Sequence, residues 1–125
     1  MILPRDVRIV RKLALLCKSN PVPLRCRHVA ALVDKNKIIS LGMNKAQSSP
    51  GFYKLSNNQK KQYIHAEYDC LNNVLDCSRL TMYVVRVDNN GRLAQSKPCP
   101  ICQRAINTAG IKRVVYSVKN GMVLL

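Results

Sequence analysis

The chain contains no tryptophan, one phenylalanine and five tyrosines, so it has few flat surfaces on which successive bases of a nucleic acid strand could stack. Acidic residues are scarce as well. Six aspartates and glutamates face 21 lysines and arginines, for a formal net charge of +15. Such an excess attracts polyanions, nucleic acid first among them, with an affinity that falls with salt as counterions are released. No apolar run approaches the roughly 18 residues needed to cross a bilayer. Arg5, Asp6, Arg8, Arg11 and Lys12 interrupt the N-terminal segment where a signal peptide needs its apolar stretch. We therefore expect an intracellular, cytoplasmic protein without a membrane partner. Repeats and low-complexity segments are missing too, and 125 residues suit one domain, 1–125, with a core of its own.

Six cysteines in a small secreted chain would imply disulfides, but nothing here marks secretion. Cys99 and Cys102 are spaced as metal ligands, whereas Cys17, Cys26, Cys70 and Cys77 read as small buried hydrophobes.

Hydrophobic periodicity divides the chain into α-β-β-α-β-α-β-β. Residues 4–18 predict an amphipathic helix with Val7, Val10, Ala14 and Cys17 on one stripe, widened by Leu13 and Leu16. Pro21 and Pro23 stop it. Strands follow at 27–34 and 37–43, joined as a hairpin through the polar turn at residues 34–37. Asn44 follows the second strand. Residues 45–64 are polar, with Lys45, Lys54, Lys60 and Lys61 interleaved with Phe52, Tyr53 and Tyr63. So long a loop is a candidate pocket wall. A helix is expected over 65–77, a central strand rich in β-branched residues over 80–87, and a helix over 98–109 with Pro100 in its first turn and Gly110 as its stop. Residues 111–118 and 122–125 form the last strands, antiparallel across the turn Lys119-Asn120-Gly121. The expected fold is thus α/β with a five-stranded mixed sheet.

Two stretches carry chemistry. His65-Ala66-Glu67 supplies an imidazole and the only glutamate of the chain, and Pro98-Cys99-Pro100-Ile101-Cys102 supplies two thiols. Three soft or borderline donors leave a fourth tetrahedral position open, the mark of a catalytic rather than a structural zinc. Both stretches begin predicted helices, where free N–H groups and the positive end of the dipole favour thiolates. Cys99 and Cys102, three apart, lie on one helix face. Alone, P-C-x-x-C also fits a thioredoxin-like redox pair, and a closed, non-catalytic zinc or nucleic-acid-binding module would need a fourth protein ligand. His28, the other histidine, reads as a strand-end residue and not as that ligand.

H-x-E followed by P-C-x-x-C, with a strand between them, resembles the zinc-dependent cytidine and deoxycytidylate deaminase superfamily over roughly residues 27–117. The resemblance implies a three-layer α/β/α cytidine deaminase-like fold and one Zn2+ per chain held by His65, Cys99 and Cys102. It also implies a hydrolytic deaminase in which Glu67 moves protons between water, the ring nitrogen of cytosine and the departing ammonia. By the same resemblance the Ala66 backbone N–H holds the base carbonyl and Asn44 bonds the substrate ribose. The charge, the basic loop and Arg5, Arg25, Arg27 and Arg86 suggest cytosine in single-stranded DNA or RNA as the substrate. Free cytidine or deoxycytidylate is the alternative, because an antiparallel pair of last strands resembles the free-nucleoside branch. Adenosine in tRNA fits less well, given the long loop and the lack of a C-terminal helix.

Overall fold

The computed structural model describes residues 1–19, 27–44, 65–72 and 74–125. The proline stop at 21–23, Cys26 and the basic-aromatic loop 45–64 lie outside the described residues.

Helix α1 spans Pro4–Ser19. Proline opens it, where a missing N–H costs nothing, and the Asp6 carboxylate reaches back to accept the Leu3 N–H at 2.7 Å. Ile9, Val10, Leu13 and Cys17 form its buried face. Val7 and Ala14, expected on the stripe, are only half-buried. The stripe is therefore rotated from the expected one toward Ile9 and Leu13, which bring more apolar area to the sheet.

The strands are β1 (Arg27–Asp34), β2 (Lys37–Met43), β3 (Thr81–Val87), β4 (Leu93–Ala94), β5 (Arg113–Val118) and β6 (Gly121–Leu124). They make one mixed sheet in the order β2-β1-β3-β5-β6, with β4 on the end of β3. β1 runs antiparallel to β2 and β3, β5 runs parallel to β3, and β5 and β6 form an antiparallel hairpin. Asn120 turns that hairpin with φ 64°, a left-handed conformation that asparagine tolerates. The sheet has six strands where five were expected. β4 was missed because two residues pairing Leu93 with Val87 and Ala94 with Arg86 are too few to show alternation.

Two more helices, α2 (Ala66–Leu71) and α3 (Pro100–Thr108), complete three layers. On one face α1 packs on Val29, Ala31 and Val33 of β1 and on Tyr83, Val85 and Val87 of β3. On the other, Ala66 and Cys70 of α2 and Ile106 of α3 cover Ala30, Leu32, Met82, Val84 and Val114. β3 is buried along nearly its whole length, as a strand covered on both faces must be.

The helix expected over 65–77 ends at Leu71. Asn72 closes it, the Val74 N–H bonds the Leu71 carbonyl at 3.3 Å, and Asp76 Oδ1 accepts the Ser78 N–H at 3.0 Å. Short polar side chains that bond nearby backbone compete with the helical ladder. What remains of α2 is held tightly. A Cβ on Gly42 of β2 would lie 2.3 Å from the Ala66 carbonyl oxygen and 2.4 Å from the Cys70 nitrogen. Only glycine lets the strand and the helix backbone come this close.

Candidate active site

The first turns of α2 and α3 meet on one face of the sheet. His65 is the N-cap of α2, in extended backbone conformation (φ −73°, ψ 150°). Cys99 is the N-cap of α3 (φ −68°, ψ 163°), followed by Pro100. A cap residue points its side chain back over the first turn, so Cys99 Sγ lies where the Cys102 N–H donates to it at 3.5 Å. Gln103 fixes the approach to this turn. Its side-chain amide donates to the Pro98 carbonyl at 2.8 Å, and its backbone N–H donates to the Cys99 carbonyl at 2.8 Å.

His65 Nδ1 lies 3.6 Å from Cys99 Sγ and 3.4 Å from Cys102 Sγ. All three donor atoms fall within 4.8 Å of one another. Zinc with bonds of about 2.0 Å to nitrogen and about 2.3 Å to sulfur, in tetrahedral geometry, sets its ligands ~3.5–3.8 Å apart. The triad therefore fits one zinc ion through Nδ1 of the imidazole. Among the described residues His28 and the other cysteines do not join this group. Three protein donors leave the fourth position to water or substrate.

The thiols are already polarised. The Cys102 thiol, then the His65 imidazole, hydrogen-bond Cys99 and hold its pKa down at about 3, against the opposing effect of burial. Cys102 moves the other way, raised by the thiolate it bonds and by its own burial. Proximity forces one sulfur of such a pair to keep the proton, and a cation between them removes that constraint by favouring both thiolates.

Glu67 follows in the first turn of α2 and is only 4% exposed. Burial raises its pKa, while hydrogen bonds and the neighbouring His65 partly offset the rise, and a hydrogen bond links it to Cys102. A carboxyl close to the triad yet outside it can carry a proton in both directions.

The two other sequence candidates occupy different places. Ala66 is fully buried in the cluster between α2 and the sheet, so its methyl group packs while its N–H belongs to the first helical turn. Asn44 is 7% exposed, and its Oδ1 accepts the His28 N–H at 3.1 Å. That bond ties the end of β2 to the start of β1.

Several residues that hold the site gave no signal in the sequence. Asp69 Oδ2 accepts the Met43 N–H at 3.2 Å, and the Ser40 hydroxyl donates to the Cys70 carbonyl at 2.8 Å. Both bonds clamp α2 to β2. Ser96 lies 2.8 Å from the Val84 carbonyl, which it bonds, and accepts the Ser117 N–H at 2.8 Å. This locks the segment leading to Cys99 onto β3 and β5. Each partner is remote in sequence and of a common residue type, so no local pattern announces it. His28 is confirmed as a strand residue. Burial first, then the neighbouring charges of Arg86 and His65, lower its pKa to about 4.

The family model for the cytidine and deoxycytidylate deaminase zinc-binding region matches residues 6–118. No curated protein sequence matches significantly. Among solved structures, the dCMP deaminase of cyanophage S-TIM5 in complex with dCMP and dUMP is similar at 21% identity and a TM-score of 0.62, over 93% of this chain and 83% of that one. The cytidine deaminase of Burkholderia pseudomallei is similar at 17% identity and a TM-score of 0.63, over 99% and 92%. That of Mycobacterium leprae is similar at 20% identity and a TM-score of 0.59, over 95% and 92%. At these identities the likeness is one of fold. The motifs, the donor triad and the matched family model agree: the chain belongs to the cytidine and deoxycytidylate deaminase zinc-binding family.

Proposed function

We propose that this chain, acting as one domain over residues 1–125, is a zinc-dependent hydrolase that replaces the exocyclic amino group of cytosine with oxygen and releases ammonia. The observation that carries this reading is the convergence of His65 Nδ1, Cys99 Sγ and Cys102 Sγ beside the buried carboxyl of Glu67. Zinc held by these donors supplies Lewis acidity that brings a water molecule to the reactivity of hydroxide near neutral pH. Glu67 takes one proton of the attacking water to ring N3, then moves the second, from the new C4 hydroxyl, to the exocyclic amino group, which leaves as ammonia while the hydroxyl becomes the carbonyl. The raised pKa of Glu67 suits both directions of transfer. The Ala66 N–H, at the start of α2, orients the base through its carbonyl oxygen. Asn44 faces the sugar from the end of β2, with its amide held in place by the His28 N–H.

The substrate class is a free cytidine nucleoside or nucleotide. Support comes from the antiparallel β5–β6 hairpin, the arrangement that resembles the free-nucleoside branch, and from the similarity to a dCMP deaminase and to cytidine deaminases. It comes also from the small number of aromatic side chains. Cytosine in single-stranded DNA or RNA is the second reading, favoured by the net charge of +15.

The test is a side-by-side assay of the protein and its Glu67→Ala variant on cytidine, deoxycytidylate, a cytosine-containing single strand and its duplex. Ammonia with uridine or deoxyuridylate from the monomers alone, dependent on Glu67, is expected. Uracil in the single strand alone moves the reading to the polynucleotide. No product from any of them overturns it.

A further inference from the structure

Arg86 stands on β3 directly opposite His28 of β1. Strand alternation puts both on the face that carries Ala30, Leu32, Met82 and Val84, the face covered by α2 and α3. The charges of Arg86, His65 and Cys99 all act on His28, so these four groups share one neighbourhood. Arg86 is thus a cation on the sheet face covered by the two helices whose first turns carry the donor triad.

Its hydrogen bonds are incomplete in a particular way. The backbone N–H donates to Ser117 Oγ at 3.0 Å, and Nη1 donates to the Gln95 carbonyl at 3.0 Å. Nε is buried and has no partner among the described residues. In a planar guanidinium, Nε and Nη2 form the second edge, a fork of two parallel donors that matches two oxygens of a carboxylate or phosphate. Among the described residues no carboxylate fills that edge; Asp6 pairs with Arg113 instead. Asp88 is close enough to feel Arg86, but its Oδ1 is taken by the N–H groups of Asn90 and Arg92 at 2.9 and 3.0 Å. A desolvated donor on a cation is costly to leave unmet, and Nη1 on Gln95 holds the guanidinium in place.

We infer that the Nε/Nη2 edge of Arg86 is an anion subsite that takes a phosphate group of the cytosine-bearing substrate. The inference rests on the deaminase reading and narrows its substrate to a phosphorylated cytidine. The phosphate comes either from a free nucleotide or from the backbone of a strand.

The test is calorimetric titration of the zinc-loaded protein in a Glu67→Gln background, chosen to slow turnover below the time of the titration. Deoxycytidine, deoxycytidylate and a short cytosine-containing single strand are compared with and without Arg86→Gln. Hydrogen bonds to charged groups of this kind make the phosphorylated ligand bind about 10-fold or more tighter than deoxycytidine. Arg86→Gln is expected to remove that advantage and leave deoxycytidine binding and zinc content unchanged. Arg86→Lys keeps the charge but loses the fork, so it should retain part of the advantage, and it carries the test if the glutamine variant fails to fold. An Arg86-dependent gain confined to deoxycytidylate identifies the free nucleotide as the source, and a gain confined to the strand identifies the backbone. An advantage that survives Arg86→Gln, or an equal loss for deoxycytidine, overturns the subsite. The two readings fail separately. Glu67-dependent ammonia release with phosphate binding indifferent to Arg86 sinks only the subsite. Arg86-dependent phosphate binding without ammonia release from any cytosine compound sinks only the deaminase.

Discussion

A methyl group on Gly42 would stand 2.3 Å from the carbonyl oxygen of Ala66, so one hydrogen atom on β2 sets how close helix α2 comes to the sheet. The obstacle is backbone on both sides, which cannot rotate away. Gly42→Ala should cost about 3 kcal/mol, the upper end of ordinary overpacking. It should also lower zinc content, because α2 carries His65. Chemical denaturation with metal analysis checks this, and a variant as stable and as zinc-loaded as the parent would contradict it.

Asp6 joins three elements. Arg113 of β5 clasps it with two hydrogen bonds at 3.0 and 2.6 Å, and the Tyr83 hydroxyl of β3 bonds it as well. Burial on its own would raise the Asp6 pKa, but Arg113, Tyr83 and the Leu3 N–H outweigh it and bring it down to about 2 from 3.8. A depressed native pKa stabilises the fold above the unfolded value, and that stability is lost as pH falls through the folded value. The parent should therefore lose stability between about pH 4 and pH 2, and Asp6→Asn should be less stable at neutral pH with a flatter slope in that window. At pH 7 the loss is about 2 kcal/mol, the free energy that corresponds to the lowering of the Asp6 pKa. Denaturant midpoints across pH 2–7 measure both effects.

Removing either chemical element of the site has a separate signature. Cys99→Ser should lower zinc content and thermal stability together, since metal binding contributes to folding. Glu67→Gln should keep zinc and reduce turnover by about 10²–10⁴-fold, the usual worth of a positioned proton carrier. Unchanged zinc in the first, or retained turnover in the second, would reassign the residue.

Chelation of zinc should expose a difference among the cysteines. Cys99 is half-buried with its pKa held near 3, while Cys70 is buried and its thiol is raised to about 12 by burial. The thiolate is the reacting form, so in the metal-free protein an alkylating reagent at pH 6 should label Cys99 well before Cys70. Adding zinc back should protect Cys99. Peptide mass spectrometry after timed quenching reads the order, and equal labelling of the two sites would contradict it.

The metal-donor set of this protein is written locally, and the sequence was enough to find it. H-x-E and P-C-x-x-C place donors at helix N-termini by spacing alone, and β-branched runs with polar turns mark β1, β2, β3 and the β5–β6 hairpin. These features depend on neighbours a few residues apart, whose geometry the backbone dictates. The tertiary structure decided what depends on remote partners: the early end of α2 at Leu71, the two-residue β4, the clamps made by Asp69 and Ser96, and the burial of Asn44 against His28. Arg86 shows the difference most clearly. In the sequence it is one of 21 basic residues, counted with Arg5, Arg25 and Arg27 toward a polyanion partner, and nothing local fixes its place. Only strand pairing puts it opposite His28, and only packing buries its Nε. The sum of charge is a property of composition, but the position of one charge on the sheet is set by contacts between distant parts of the chain.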